Sequence, residues 1–305
     1  MHLPTPRIAL IPLLLSLAVT SAPAESRADL VYLAIGDSIT FGLDTSNSST
    51  LVPSNADQGF VKPFADFLAS QNGGVRPEVL NLGVSGELST SFFSGVAPAG
   101  WTKRDPGLNQ NYPDATTPQN SLLIQSITAI HAAGNTIGTV SFLIGGNDIF
   151  ALSERLDFLT ATPAEQQAMV IATLNTIQNN YLTVLTELKT LAPEARLLLP
   201  GYYNPFPSFS AESAFFAPIL AGFNQYIQAD AAYFGATYID LATPFIGHEL
   251  AWTNIASGDI HPNAAGYAAI NAAFVGAVVP EPASLVSMGA GLLGLLGYAR
   301  FRKAA

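Results

Sequence analysis

Ser38 stands in Gly36-Asp37-Ser38-Ile39-Thr40, directly after the apolar run Leu30-Val31-Tyr32-Leu33-Ala34-Ile35. A serine at a tight strand-to-helix turn holds its hydroxyl exposed beside a helix N-terminus, where developing negative charge is favoured. That setting suits a nucleophile, although Gly-Asp-Ser alone also makes ordinary turns. A matching base is His261, in His261-Pro262-Asn263-Ala264-Ala265-Gly266-Tyr267. Proline in the first turn and the spacing of Tyr267, Ile270 and Phe274 predict a helix start there. The positive pole of that helix disfavours imidazolium, so a base at this position needs a carboxylate to restore its basicity. The adjacent acid is Asp259. Other chemistries lack their residues: the chain has no cysteine, and His2, His131, His248 and His261 show no i, i+3 or i, i+4 pairing. Without thiolates or the usual zinc spacings, metal-free chemistry with no cofactor is expected.

Four blocks, Gly36-Asp37-Ser38, Asn81-Leu82-Gly83-Val84-Ser85-Gly86, Gly145-Gly146-Asn147-Asp148 and His261-Pro262-Asn263, follow one another and span residues 36 to 263. In residues and order they resemble the SGNH (GDSL-type) serine hydrolases. The resemblance implies hydrolysis of a carboxylic ester through an acyl-enzyme, with Ser38 as nucleophile and His261 as base. It further implies an oxyanion hole made by the backbone N–H groups of Ser38 and Gly86 and the side-chain amide of Asn147. A tetrahedral intermediate carries a full charge on oxygen, and one lost donor of this kind costs about 3–4 kcal/mol. Gly86 lets the backbone approach closely, and Gly145-Gly146 leave room for the Asn147 amide to turn inward.

One departure concerns the carboxylate. The family places its aspartate three residues before the histidine, where this chain has Gly258. Either Asp259 reaches the far nitrogen of His261 through a rearranged loop, completing a triad, or a backbone carbonyl orients the ring and leaves a Ser-His dyad, with a more distant acid such as Asp240 to consider. Asp37, Glu87 and Asp148 are expected to hold loops by hydrogen bonds. His131 and His248 read as structural or surface residues.

The elements that must position these groups show in the apolar pattern. Besides the run before Ser38, strands are expected at Val79-Leu80-Asn81-Leu82, Thr139-Val140-Ser141-Phe142-Leu143-Ile144, Arg196-Leu197-Leu198-Leu199 and Ala236-Thr237-Tyr238-Ile239. Between them, Thr162-Pro163-Ala164-Glu165 has capping-box spacing, followed by Val170, Leu174, Ile177, Tyr181, Val184, Leu188 and Leu191 in steps of four and three. The pattern predicts a doubly wound α/β/α sandwich on a five-stranded parallel sheet, the flavodoxin-like arrangement of the family, with functional groups beyond the carboxyl ends of the strands. Residues 92–120 and 202–216, rich in Pro, Gly, Asn and aromatics, are long loops at that end. They read either as substrate walls or as surface excursions.

Both ends of the 305-residue chain look like addresses. Residues 1–24 combine His2 and Arg7, an apolar stretch from Ile8 to Val19 and Ala22-Pro23-Ala24, as in a signal peptide cut by signal peptidase. At the other end, Pro280-Glu281-Pro282, an apolar run over 283–299, and Arg300, Arg302 and Lys303 resemble the PEP-CTERM sorting signal. That resemblance implies export in a Gram-negative-type bacterium, transient anchoring at the inner membrane and cleavage by an exosortase-type enzyme. About 17 apolar residues reach the lower limit of a membrane span, and the trailing cations fit the positive-inside rule; a permanent anchor is the other reading. The hydrolase domain is then 25–279, with the sorting tail at 280–305. That domain keeps eight basic residues against 21 acidic ones, about −13, which argues against nucleic acid as a partner and for an uncharged ester substrate. Lipid or small acyl esters and polysaccharide O-acetyl groups both fit. A non-catalytic surface protein on a hydrolase scaffold is the rival outside catalysis, weakened by retention of every core catalytic residue type.

Overall fold

The computed structural model describes residues 30–279; the leader over 1–24 and the tail over 280–305 lie outside the described residues. Five strands form one sheet: β1 (Leu30–Gly36), β2 (Glu78–Asn81), β3 (Thr136–Leu143), β4 (Arg196–Pro200) and β5 (Thr237–Ile239). Every pairing is parallel and the order is β2-β1-β3-β4-β5. Each expected apolar run became a strand, and β3 begins three residues earlier than its run, at Thr136. The interior strand β1 is buried from Val31 to Gly36, which explains its unbroken apolar sequence: a parallel strand covered on both faces has no polar side.

A single helical turn, α1 (Ser38–Phe41), follows β1, and the longer helices are α2 (Val61–Gln71), α3 (Gln119–Ala132), α4 (Gly146–Ser153), α5 (Pro163–Leu191), α6 (Ala211–Phe234) and α7 (Ala264–Val278). Helices α2 and α7 pack together on one face of the sheet, and α3, α5 and α6 cover the other. The order 2-1-3-4-5 with right-handed crossovers requires this division, since the chain turns one way after β1 and the other way after β2. Helix α5 starts as its sequence predicts. Thr162 and Glu165 form a reciprocal capping box, and Leu174, Ile177, Tyr181, Val184 and Leu188 are buried. Aromatic rings fill both layers: Tyr32, Phe60, Phe64 and Phe274 beneath α2 and α7, and Phe92, Phe142 and Tyr181 on the opposite side.

Helix α7 runs back from the carboxyl edge of the sheet. Its Tyr267 hydroxyl donates to the carbonyl of Leu43, just past α1, while Phe274 two turns on meets Phe60 and Phe64, the latter packed on Tyr32 near the start of β1. Leu30 and Val279, the first and last described residues, therefore both belong to the amino edge. Among the described residues no helix is long and apolar enough to cross a membrane.

Candidate active site

Ser38 is the first residue of α1, beyond the carboxyl end of β1. Asp37 caps the turn, accepting the Ile39 N–H on Oδ1 at 2.9 Å. A cap of this kind satisfies one orphan donor of the first turn and leaves the Ser38 N–H directed outward. Ser38 is almost fully buried, yet its Oγ lies 2.8 Å from Nε2 of His261, 223 residues away.

His261 does not begin a helix. Asn263 is the N-cap of α7, accepting from Ala265 and Gly266 N–H, so Pro262 lies outside the first turn where its sequence had suggested a place within it. The histidine instead closes a compact loop over 254–261, in which Asn254 N–H donates to His261 O at 2.9 Å and Asp259 N–H to Asn254 O at 3.2 Å. This loop carries Asp259 to the far side of the ring. Its Oδ1 takes both the His261 backbone N–H and Nδ1, each at 2.8 Å. Burial alone raises the Asp259 carboxyl, but the ring hydrogen bond, the charge of His261 and the backbone N–H outweigh it, and the net shift is downward. Asp240 is engaged elsewhere, accepting the N–H groups of Ala242 and Thr243.

Asn147 sits in the first turn of α4, and its Nδ2 donates to the Glu87 carbonyl at 3.0 Å, which aims the amide and leaves its second N–H. The neighbouring loop is held against α4 by Asp148, whose two oxygens take the Ser89 N–H (2.8 Å) and hydroxyl (2.7 Å). Gly86 precedes Glu87 with φ +70°, and a Cβ there would lie 2.1 Å from the Lys103 carbonyl oxygen, so only glycine fits. Its carbonyl accepts from Trp101 Nε1 at 2.7 Å. Gly86 does not itself line the cleft wall; its link to the cleft is Asn147, which is bonded to the carbonyl of the next residue, Glu87.

The cleft is lined by Ser38, His261 and Asn147 together with Ile39, Phe150, Tyr203, Pro205 and Ile260. Three convergent polar groups among apolar walls are the usual make-up of a small-ligand site. Of the two long loops, the one after β4 supplies Tyr202, Tyr203 and Pro205, although its last part, from Ala211, is already α6. The segment 92–120 contributes nothing to this cleft. It braces the back of Gly86: Arg104 pairs with buried Glu87 at 2.9 Å, and Asn109 Nδ2 donates to the carbonyls of Asn81 and Gly83. His131 pairs with Glu194 at the surface, and His248 stacks on Trp252 at 4.2 Å.

Asp37, Glu87 and Asp148 do hold loops, as their motif positions suggested, and burial raises all three carboxyls. Burial raises Asp148 to about 6 against the hydrogen bonds of Ser89. An acid raised above its unfolded value favours the fold fully below that value, and the contribution is lost as pH rises through the folded value. The window here is about pH 4 to 6. In Asp148→Asn the amide keeps both contacts, with oxygen facing the Ser89 N–H and NH2 facing its hydroxyl. Its melting temperature is expected to gain on wild type as pH rises from 4 to 6 and hold that gain above. Parallel curves in thermal melts would refute this.

Residues 34–269 match the model of the GDSL-like Lipase/Acylhydrolase family, and residues 278–303 match that of the PEP-CTERM protein-sorting motif. No curated protein matches the sequence. Among solved structures, the extracellular lipase from Streptomyces rimosus is 18% identical with a TM-score of 0.52, covering 82% of this chain and 100% of its own. A lipase from a goat rumen metagenome is 17% identical with a TM-score of 0.54, covering 82% and 97%. The acetylxylan esterase from Geobacillus stearothermophilus is 16% identical with a TM-score of 0.52, covering 83% and 96%. At such identities these neighbours speak for the fold. The family match itself runs from inside β1 to inside α7 and so encloses the turn of Ser38, the amide of Asn147 and the loop of His261: the chain belongs to the GDSL-like lipase/acylhydrolase family.

Proposed function

We propose that the protein is an exported serine esterase that hydrolyses carboxylic esters through an acyl-enzyme on Ser38. The observation that carries this reading is the unbroken line from Asp259 Oδ1 through the His261 ring to Ser38 Oγ, with 2.8 Å at each step. Nδ1–H donating to Asp259 fixes the tautomer that leaves Nε2 free to take the serine proton. Ser38 Oγ then attacks the ester carbonyl, and the carbonyl oxygen becomes an oxyanion. The N–H groups of Ser38 and Gly86 and the free N–H of Asn147 are its donors. His261 returns the proton to the leaving alcohol, and water repeats the sequence to release the acid. The apolar walls from Ile39, Phe150, Tyr203 and Ile260 suit the acyl side of an uncharged ester.

Export rests on the sorting motif over 278–303 and the leader pattern over 1–24. In this reading signal peptidase cuts after Ala24, residues 283–299 hold the protein transiently at the inner membrane, and an exosortase-type enzyme cleaves near Pro280-Glu281-Pro282.

The test is a panel of p-nitrophenyl esters of graded acyl length, run beside acetate release from acetylated polysaccharide, with a fluorophosphonate as inactivator. Ester turnover and a single adduct mapped to Ser38 are expected. Turnover confined to the polysaccharide would move the substrate to O-acetyl groups on the same machinery. An adduct at another serine, or no turnover on either arm, would end the proposal.

A further inference from the structure

Behind the catalytic line lies a second buried carboxylate, that of Asp37 in the Gly36-Asp37-Ser38 block, which the triad does not use. Oδ1 of Asp37 caps α1, while Oδ2 accepts the hydroxyl of Tyr202 at 2.6 Å across 165 residues. That length marks a charge-assisted hydrogen bond. Tyr202 follows β4, which is not a neighbour of β1, so its ring must pass beneath the loop after β3 to arrive there. It does so against Gly146, where a Cβ would lie 2.5 Å from Cε1 of the ring. The backbone of Tyr202 is clamped from both sides by Asn224, whose Oδ1 takes its N–H at 2.7 Å and whose Nδ2 donates to its carbonyl at 2.8 Å. Phe223 stacks on the ring at 5.7 Å. A side chain held by this many contacts has one position, and its hydroxyl ends on the residue before Ser38.

We infer that Tyr202 and Asp37 are positioning residues for the reaction: the Tyr202 hydroxyl holds Asp37 as the anion, and the Asp37 charge, in the same cleft, adds to that of Asp259 in supporting the imidazolium that forms on His261. The inference rests on the esterase reading given above. Asp37 and Tyr202 line the cleft beside Ser38 and His261. Burial raises the Asp37 carboxyl to about 6, with the Tyr202 hydroxyl, the Ile39 N–H and the charge of His261 acting against it. The titratable groups that interact with Asp37 are Tyr202 and Tyr203 after β4, His261 after β5 and Tyr267 on α7. Burial and the nearby carboxylate push all three tyrosines well above their ordinary value, so they stay neutral. Over the working range the three tyrosines therefore leave the change of charge on Asp37 as the one that Tyr202 controls.

Removing the hydroxyl leaves a buried anion short of a donor and raises Asp37 further. In Tyr202→Phe, kcat on a soluble ester is expected to fall about threefold near pH 6.5, with KM within about twofold of wild type. The acid limb should move up by about one pH unit, and the deficit should vanish by pH 9, where Asp37 is ionised in either protein. A lowered kcat with the same ratio at every pH would mark a merely structural strut and overturn the inference, as would an unchanged profile. Asp37→Asn keeps the cap on the Ile39 N–H through its oxygen and meets the Tyr202 hydroxyl with its NH2, reversing that bond, without the charge; it is read alongside, so that poor folding of one variant does not end the test. It should be about tenfold slower with no recovery at pH 9, and a wild-type rate would overturn the inference. Failure of the wild type to turn over esters fells both readings, whereas an active wild type with an indifferent Tyr202→Phe fells only this one.

Discussion

Ser38→Ala is expected to lower kcat for ester hydrolysis about 10⁶-fold, with His261→Ala close behind and the double variant no worse than either, because residues acting as a unit lose their effect together. The physical reason lies in the geometry of the pair. Among the described residues the Ser38 hydroxyl has its hydrogen bond to Nε2 of His261 and no second partner, so its removal takes away the nucleophile while leaving the turn intact. The cap from Asp37 to Ile39, the backbone bonds of Gly42 and Leu43 to the Ser38 carbonyl, and the neighbouring core are untouched. The melting temperature should accordingly stay within a few degrees of wild type. The residual rate should still exceed that of water, since the oxyanion donors remain. Steady-state rates on p-nitrophenyl acetate decide the matter: a Ser38→Ala enzyme within about a hundredfold of wild type would place the nucleophile elsewhere.

Asp259→Asn is expected to cost about 10² in kcat, at the mild end of the range of about 10²–10⁴ known for triads of this logic. The upper figure applies where an amide turns its NH2 to the histidine and imposes the wrong tautomer. Here one oxygen, Oδ1, takes both the backbone N–H of His261 and Nδ1. An asparagine that turned its NH2 inward would set a donor against the backbone N–H as well as against the ring. It will therefore keep its carbonyl oxygen in place, the tautomer survives, and what is lost is the charge that steadies the imidazolium. Asp259→Ala removes that oxygen altogether and should fall further. An Asp259→Asn enzyme within about threefold of wild type, measured beside an inactive His261→Ala, would make the site a dyad.

The sheet was legible in the sequence because its strands are buried on both faces and write themselves as apolar runs. Helix α5 was legible because a capping box and one buried stripe both mark it. Ser38 and His261 were legible because each stands beside a local signal, the end of a strand in one case and the start of a helix in the other. The placement of Asp259 was only half legible. Gly258, at the family's aspartate position, has φ +82° and makes the bend that brings the next residue round to the ring. A glycine in a sequence announces that a turn is possible without saying which neighbour it turns toward. Tyr202 was less legible still, since its partners are 22, 56 and 165 positions away and none forms a pattern with it. The segment 92–120 misled through its composition. Proline, glycine and asparagine describe an irregular path, and the buried pair of Arg104 with Glu87 that ties this path to the back of the oxyanion loop has no periodic signature.

The return of α7 along the sheet has a bearing on how the domain is carried. Its 15 residues cover about 22 Å, close to the length of β1, so the chain enters at Leu30 and leaves at Val279 on one side of the molecule while the cleft opens on the other. Anything fastened to either terminus pulls on the domain from behind. A leash at Val279 cannot fold across the mouth of the cleft without spanning the whole thickness of the sandwich. If the tail holds the domain at a membrane as proposed, a leash there would present Ser38 outward, away from the surface that holds it, and cutting the leash would leave the approach to the cleft unchanged.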